Sequence, residues 1–352
     1  MRAVYLTNRG LEIREVEEPK PGYGEVVIKV KYALTDGTDL KAFLRGHPIL
    51  REGPFGHEYS GIVYSLGEGV EDFRVGDEVF GVNTAPCFKC ENCMRGKFNL
   101  CENLKKNMVI GAYAEYLLIP QQVVKINLFK KPPELPFHIA PIIEPLSCVF
   151  HALEKLPIDD VDSVLILGSG SISAMFSIIL SKFGKDVLVS GRNEEKMKII
   201  SENVGVKWVK FENLGKGFDL VIDTTANSDV VKMGLNLVNK GGYLFLFAGF
   251  KEGERIFLDQ PYIHYNEIQI LTSFHHTPIS VRKAYNFLLQ NFHKLEFLIS
   301  GFYRLEDINL AFENMAKGKG FKYAITLDQM GCWEFFRPLP KPHCLPLGSC
   351  PL

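Results

Sequence analysis

Apolar and polar positions along this chain follow two different rhythms. Up to about residue 140 they alternate in short runs, the period of two that turns one face of a strand toward a core. MRAVYLTNRGLEIREVE at the start, EVVIKVKYAL at 25–34, YSGIVYSLG at 59–67, DEVFGV at 77–82 and AEYLLIP at 114–120 read as strands. Turns such as PKPGYGE and GEGVEDFRVGD separate them. From Val164 the rhythm changes. VLILG is a buried apolar strand, followed by a glycine-containing turn and the helical pattern SISAMFSIILSKFG. The strand DVLVSG, a helix around EEKMKIISENVG, the strand DLVIDTT, the helix DVVKMGLNLVNK and the strand GYLFLFAG come next. Strand and helix alternating in this way predict a doubly wound parallel sheet.

Beyond Thr272 the helix VRKAYNFLLQNF and the segment LEDINLAFENMAKG precede a last strand, YAITL, which we assign to the β-rich first half. The predicted fold class is therefore α/β. A β-rich domain spans 1–140 with 276–327 returning to it, and a parallel-sheet domain spans 141–275. Residues 328–352, rich in Pro and aromatics, fit neither rhythm and read as a peripheral tail or an appended extension.

Composition narrows the function. The 352 residues are 46% hydrophobic and 23% charged with a formal net charge of −1, so the chain has material for two full cores and no basic block for nucleic acid. The N-terminus lacks a signal peptide's apolar core and no run approaches a membrane span. A cytoplasmic protein is the expectation, with no membrane partner.

Four of the eight cysteines, Cys87, Cys90, Cys93 and Cys101, fall in the run CFKCENCMRGKFNLC. This spacing lets four thiolates close a tetrahedron around one Zn²⁺, a site with no open position and hence a structural one. The alternatives are disulfides, which a reducing compartment disfavours, or free core thiols.

The turn after VLILG carries Gly168, Ser169, Gly170, Ser171 and Ile172, and opens a helix. There Gly168 serves the tight turn and Gly170 lets backbone approach a pyrophosphate at the helix N-terminus. Ser173 takes the place of the third glycine. An NAD site calls for a carboxylate at the end of the next strand, but Ser190, Gly191 and Arg192 stand there. An arginine would pair with a 2′-phosphate, so NADP(H) is favoured and NAD(H) is the alternative. Thr224 and Ala248, at the ends of the strands DLVIDTT and GYLFLFAG, and Phe274 complete the candidate cofactor contacts. Phe43, Phe274 and His275 are candidate specificity side chains.

TDGTDLKAFLRG, GPFGHEYSGIV and IIEPLSCVFHA offer Asp36, His57, Glu58 and Glu144. An imidazole with carboxylates and one open position makes a workable catalytic zinc site. Asp39 is placed to orient His57, Thr38 to begin a proton relay and His47 to continue it. Taken singly, these carboxylates read equally well as solvated loop residues or helix-start caps.

With these residues the chain resembles the zinc-dependent medium-chain dehydrogenases. The resemblance rests on GTD at 37–39, GHE at 56–58, GVEDFRVGDEVFG at 69–81, the cysteine run, EPLS at 144–147, the glycine turn, and GGY with AG ending at Gly249. It implies a GroES-like domain carrying both zincs and a Rossmann domain carrying the nicotinamide, with hydride moving in the cleft between them. It implies Asp36, His57, Glu58 (direct or switching) and Glu144 as the catalytic zinc ligands, and Thr38 as the relay hydroxyl. The family usually has a cysteine where Asp36 stands, which makes this site harder. The Asp-Gly-Thr-Asp run looks like the aldose (glucose) dehydrogenase branch, and EPLS fits the wider sorbitol-type polyol branch. The implied activity is hydride transfer between NADP(H) or NAD(H) and the CH–OH or C=O group of a sugar or polyol, in a homodimer or homotetramer. The alternatives are a quinone- or enone-reductase-like enzyme without catalytic zinc, and a non-catalytic NADPH-binding paralogue.

Overall fold

The computed structural model describes residues 1–46, 52–215 and 217–327, so His47 and the segment 328–352 lie outside the described residues. Six strands form an all-parallel sheet in the order Lys207–Val209, Asp186–Ser190, Ser163–Leu167, Phe218–Asp223, Val238–Leu246, Gln269–Thr272. Numbered along the chain this is 3-2-1-4-5-6, the doubly wound order whose crevice opens at the carboxyl end of the first strand. Alternation within Ser163–Leu167 explains why both faces need cover. Val164 and Ile166 enter one core and Leu165 and Leu167 the other.

The helix expected to run to Lys240 stops at Leu235, and the chain is already in a strand at Val238. Two glycines account for the difference. Gly241 takes φ +74°, and a Cβ on Gly242 would lie 2.8 Å from the Asp219 carbonyl, so this stretch suits the shift of register that the strand makes there rather than a helix.

The β-rich half is built on a seven-stranded sheet. Its path runs Ile299–Arg304, Lys322–Thr326, Val26–Leu34, Tyr59–Leu66, Glu78–Gly81, Leu128–Lys130, and Tyr116–Ile119 also pairs with Val26–Leu34. The last described strand joins Val26–Leu34 antiparallel, with Ala324 opposite Leu34 and Thr326 opposite Tyr32. The N-terminal hairpin, Arg2–Thr7 with Gly10–Glu15, belongs to a separate three-stranded sheet.

Two helices position the chemistry, and neither shows a clear period in the sequence. Gly37–Arg45 is short and begins at Asp36, whose carboxylate caps it by accepting from the Thr38 N–H at 2.7 Å. Ile143–Leu153 is buried at ten of its eleven positions, so it presents no polar face to read. It joins the two halves. Helix Pro278–Asn291 packs across it, with the Phe150 and Phe287 rings 5.5 Å apart, and one apolar core runs through both helices into the parallel sheet. Among the described residues no helix is long and apolar enough to cross a membrane.

Candidate active site

Three segments distant in sequence meet at the amino end of helix Gly37–Arg45. Asp36, His57 and Glu58 are all buried and offer ligand atoms within 4.8 Å of one another. His57 is held from behind: its Nδ1 lies 2.9 Å from Asp39 Oδ1, and Asp39 Oδ2 accepts from the Tyr113 hydroxyl at 2.7 Å. A carboxylate on Nδ1 favours the tautomer with its proton there, which leaves Nε2 as the free donor. That nitrogen faces Asp36 Oδ1 and Glu144 Oε2, each at 3.9 Å. Such gaps are too long for hydrogen bonds. They suit donors sharing one ion, since two ligands each about 2.1 Å from zinc can stand up to about 4 Å apart.

Glu58 is arranged differently. Both its oxygens accept from the buried Lys322 ammonium, at 2.7 and 2.9 Å, and the same Nζ donates to the Thr35 carbonyl at 2.9 Å. Lys322 also stands 3.5 Å from Asp36 Oδ2. Glu58 thus meets the metal-like cluster already engaged by a cation. Burial works against the charge on Lys322, but Glu58 and Asp36 raise its pKa. Burial likewise opposes ionisation of Asp36, yet Lys322 and His57 hold it well below the usual carboxylate range. For His57 burial is outweighed by Asp39, Glu144 and Asp36, which hold it well above the usual imidazole value. Glu144 goes the other way, pushed up to about 7 by burial.

The balance of charge is the main property of this pocket. Four carboxylates are buried here, Asp36, Asp39, Glu58 and Glu144, and the Lys322 ammonium pairs with Asp36 and Glu58. With His57 neutral the excess is negative, and a divalent cation at Nε2 would offset it. The donor set fits zinc at His57 Nε2, with Asp36 and Glu58 in ligand range of it and Glu144 3.9 Å away.

Thr38 is half-buried in the first turn of the same helix, beside Asp36. Lys322, Tyr113, Cys148 and His275 are the residues of this region that sequence motifs did not mark as catalytic or metal-binding. Of these, His275 was expected only as a specificity side chain, and Cys148 falls within the segment IIEPLSCVFHA.

The cysteine lobe is a second donor set. Its cysteines are free, with Cys87 and Cys93 sulfurs 4.0 Å apart and Cys90 and Cys101 sulfurs 3.9 Å apart. Four sulfurs about 2.3 Å from one zinc stand about 3.8 Å apart. Amides turn toward the sulfurs: the Cys87 and Asn103 N–H groups approach Cys101 at 3.3 and 3.4 Å. Such donors, the Lys89 N–H foremost, lower the Cys87 thiol pKa to about 6. Asn99 reaches out of the lobe and donates to the Phe274 carbonyl at 2.9 Å.

At the glycine turn Gly168 has φ +122°, and a Cβ there would lie 2.2 Å from Thr224 Oγ1. Thr224 fills that space, bonding the Leu167 carbonyl at 2.9 Å and the Ser173 hydroxyl at 2.8 Å. The third position of the turn thus packs helix on strand through a serine. Gly170 caps helix Ser171–Lys182 and nothing lies within 4 Å of where its Cβ would be, an open cradle suited to a phosphate. Ser171 and Ile172 begin that helix, half-buried. Ser169 covers Gly191, its Oγ 3.2 Å from the Cβ position, and Arg192 is exposed just beyond. Ala248 is half-buried at the end of Val238–Leu246, its N–H 3.4 Å from the Asp223 carbonyl. Phe274 is 48% exposed, with its carbonyl tied to the lobe.

Known proteins agree with this architecture. Residues 22–128 match the family model of the alcohol dehydrogenase GroES-like domain. L-threonine 3-dehydrogenase of Vibrio parahaemolyticus is 30% identical over 68% of this chain and 74% of its own length. Sorbitol dehydrogenase of Halalkalibacterium halodurans is 28% identical over 93% and 99%. A solved structure from Sinorhizobium meliloti 1021, described as a zinc-binding dehydrogenase bound to NADP, is 26% identical with TM-score 0.83, covering 92% of this chain and 98% of that one. The chain belongs to the zinc-dependent medium-chain alcohol dehydrogenase superfamily, is polyol-dehydrogenase-like within it, and is an NAD(P)-dependent alcohol/polyol dehydrogenase at that level.

The ion pair of Lys322 can be tested directly. Lys322→Met should lower stability by about 3–5 kcal/mol in denaturant titration, because Glu58 is left buried and unpaired. Adding Glu58→Gln to that variant should recover part of the loss. An unchanged midpoint in the single variant would contradict the pairing.

Proposed function

We propose that this enzyme transfers hydride between NADP(H) and the CH–OH or C=O group of a sugar or polyol. The observation that carries the reading is His57 Nε2, freed by Asp39 and facing Asp36 and Glu144 at equal distances of 3.9 Å. When bound, zinc at these three residues supplies Lewis acidity at the substrate oxygen, and the nicotinamide takes or gives the hydride. Asp39 and Tyr113 fix the imidazole. Lys322 bonds both oxygens of Glu58, so Glu58 can join the ion only in competition with that ammonium. Thr38, beside Asp36, accepts the hydroxyl proton and begins its path to solvent. Cys87, Cys90, Cys93 and Cys101 hold a structural zinc, and assembly as a homodimer or homotetramer belongs to the same proposal.

The surplus of buried carboxylates favours this reading over a reductase without catalytic metal. Without an ion, only Lys322 and proton uptake by His57, Glu58 and Glu144 would balance this charge. For the cofactor, Gly168, Ser169, Gly170, Ser171 and Ile172 form the pyrophosphate turn, with Thr224, Ala248 and Phe274 along the crevice. The exposed Arg192 beside Gly191 supports NADP(H), because a 2′-phosphate there would find an unshielded guanidinium and no carboxylate.

Turnover of aldoses, polyols and inositols should fall by about 10³-fold or more in Asp36→Ala and His57→Ala, the loss of several kcal/mol of charge stabilisation. Full activity in both variants would sink the zinc reading. Arg192→Ala should lower kcat/KM for NADP⁺ by about tenfold to a hundredfold and leave NAD⁺ unaffected, the scale of one or two charge-assisted bonds. An unchanged ratio of the two cofactors would refute the role of Arg192.

A further inference from the structure

Glu144 has two oxygens and they face different partners. Oε2 is turned to His57 Nε2 at 3.9 Å, and Oε1 to the Cys148 sulfur at 4.0 Å. Cys148 lies four residues after Glu144 in the helix Ile143–Leu153, on the same face, and is the one position of that helix that is only partly buried. His275 approaches from the segment that leaves the parallel sheet. Glu144, Cys148 and His275 each offer a ligand atom, and the three atoms lie within 4.8 Å of one another.

The imidazole of His275 is held in place. Its backbone takes φ +61°, a region a non-glycine side chain occupies only where its surroundings enforce it. The enforcement is visible on both sides. Asn99 of the cysteine lobe donates to the preceding carbonyl, of Phe274, at 2.9 Å. Thr84 Oγ1 lies 2.5 Å from His275 Nε2. The next residue, His276, is anchored to Asn83 Oδ1 at 3.1 Å.

We propose that Glu144, Cys148 and His275 form a second metal station beside the first, selective for thiophilic divalent ions, with Glu144 shared between the two. The proposal rests on the zinc reading of Asp36, His57 and Glu144 for its first station. The two differ in softness. The first offers carboxylates and an imidazole, whereas the second replaces one carboxylate with sulfur and so favours Zn²⁺ or Cd²⁺ over harder ions. Binding there breaks the Cys148 S–H bond and forms a sulfur–metal bond, and the proton leaves to solvent. Three protein donors leave a further position open for water or a substrate oxygen.

The test is a Cd²⁺ titration of the zinc-loaded protein, followed by cadmium–thiolate charge-transfer absorbance. Any exchange in the cysteine lobe is common to every variant and cancels in the difference. The wild type should show one cadmium–thiolate increment more than Cys148→Ser, with Cys148→Ala as a second replacement. His275→Asn should weaken that increment at least about tenfold, while His57→Asn should retain it. Superimposable titrations of wild type and both Cys148 variants would overturn the second station. Turnover separates the two readings. If His57→Ala abolishes activity while the Cys148 titrations coincide, the second station fails alone. If the increment is present but activity survives His57→Ala, the first reading fails and the second station stands.

Discussion

The buried ammonium of Lys322 is the contact on which this site depends. It enters from the last described strand and binds the Thr35 carbonyl and both oxygens of Glu58, 264 positions away in sequence. It also stands 3.5 Å from Asp36. A lone ammonium in an apolar interior would be costly, and so would each of these carboxylates, so they stabilise one another only when all are present. The consequence is topological. Lys322 reaches the pocket because Lys322–Thr326 closes the sheet against Val26–Leu34, so the site is assembled only when the chain's late return is complete.

A second constraint comes from the cysteine lobe. Its sulfurs stand at distances suited to one zinc, and Asn99 links it to the segment carrying Phe274 and His275. That segment begins where the parallel sheet ends, at Thr272, and leads into helix Pro278–Asn291 against the junction helix. The lobe thereby helps fix one wall of the pocket that holds Glu144 and His275.

Much of this was legible in the residues. The change from alternating to strand-and-helix rhythm marked both sheets, because period two and period 3.6 leave different traces. Asp36, His57, Glu144 and the supporting Asp39 were readable from short motifs. Lys322 and Tyr113 were not. One opens a strand of otherwise apolar and small residues, and the other sits 74 positions from the aspartate it bonds, so neither carries a local signal. Glu58 was expected as a direct or switching ligand, and its engagement by Lys322 emerges only in three dimensions. The junction helix hid for the opposite reason, since burial on nearly every face erases the amphipathic stripe. His47 lies outside the described residues, so its place in the proton relay stays a proposal from sequence.

The central claim is that a carboxylate-rich pocket, with Asp36 where sulfur is usual, holds a metal of its own apart from the lobe. Anomalous scattering at the zinc edge from crystals of the zinc-loaded protein tests it most directly. One peak among Cys87, Cys90, Cys93 and Cys101 and one among Asp36, His57 and Glu144 are predicted, besides any at Glu144, Cys148 and His275. A peak in the lobe alone, with the second position empty at full zinc loading, would contradict the claim.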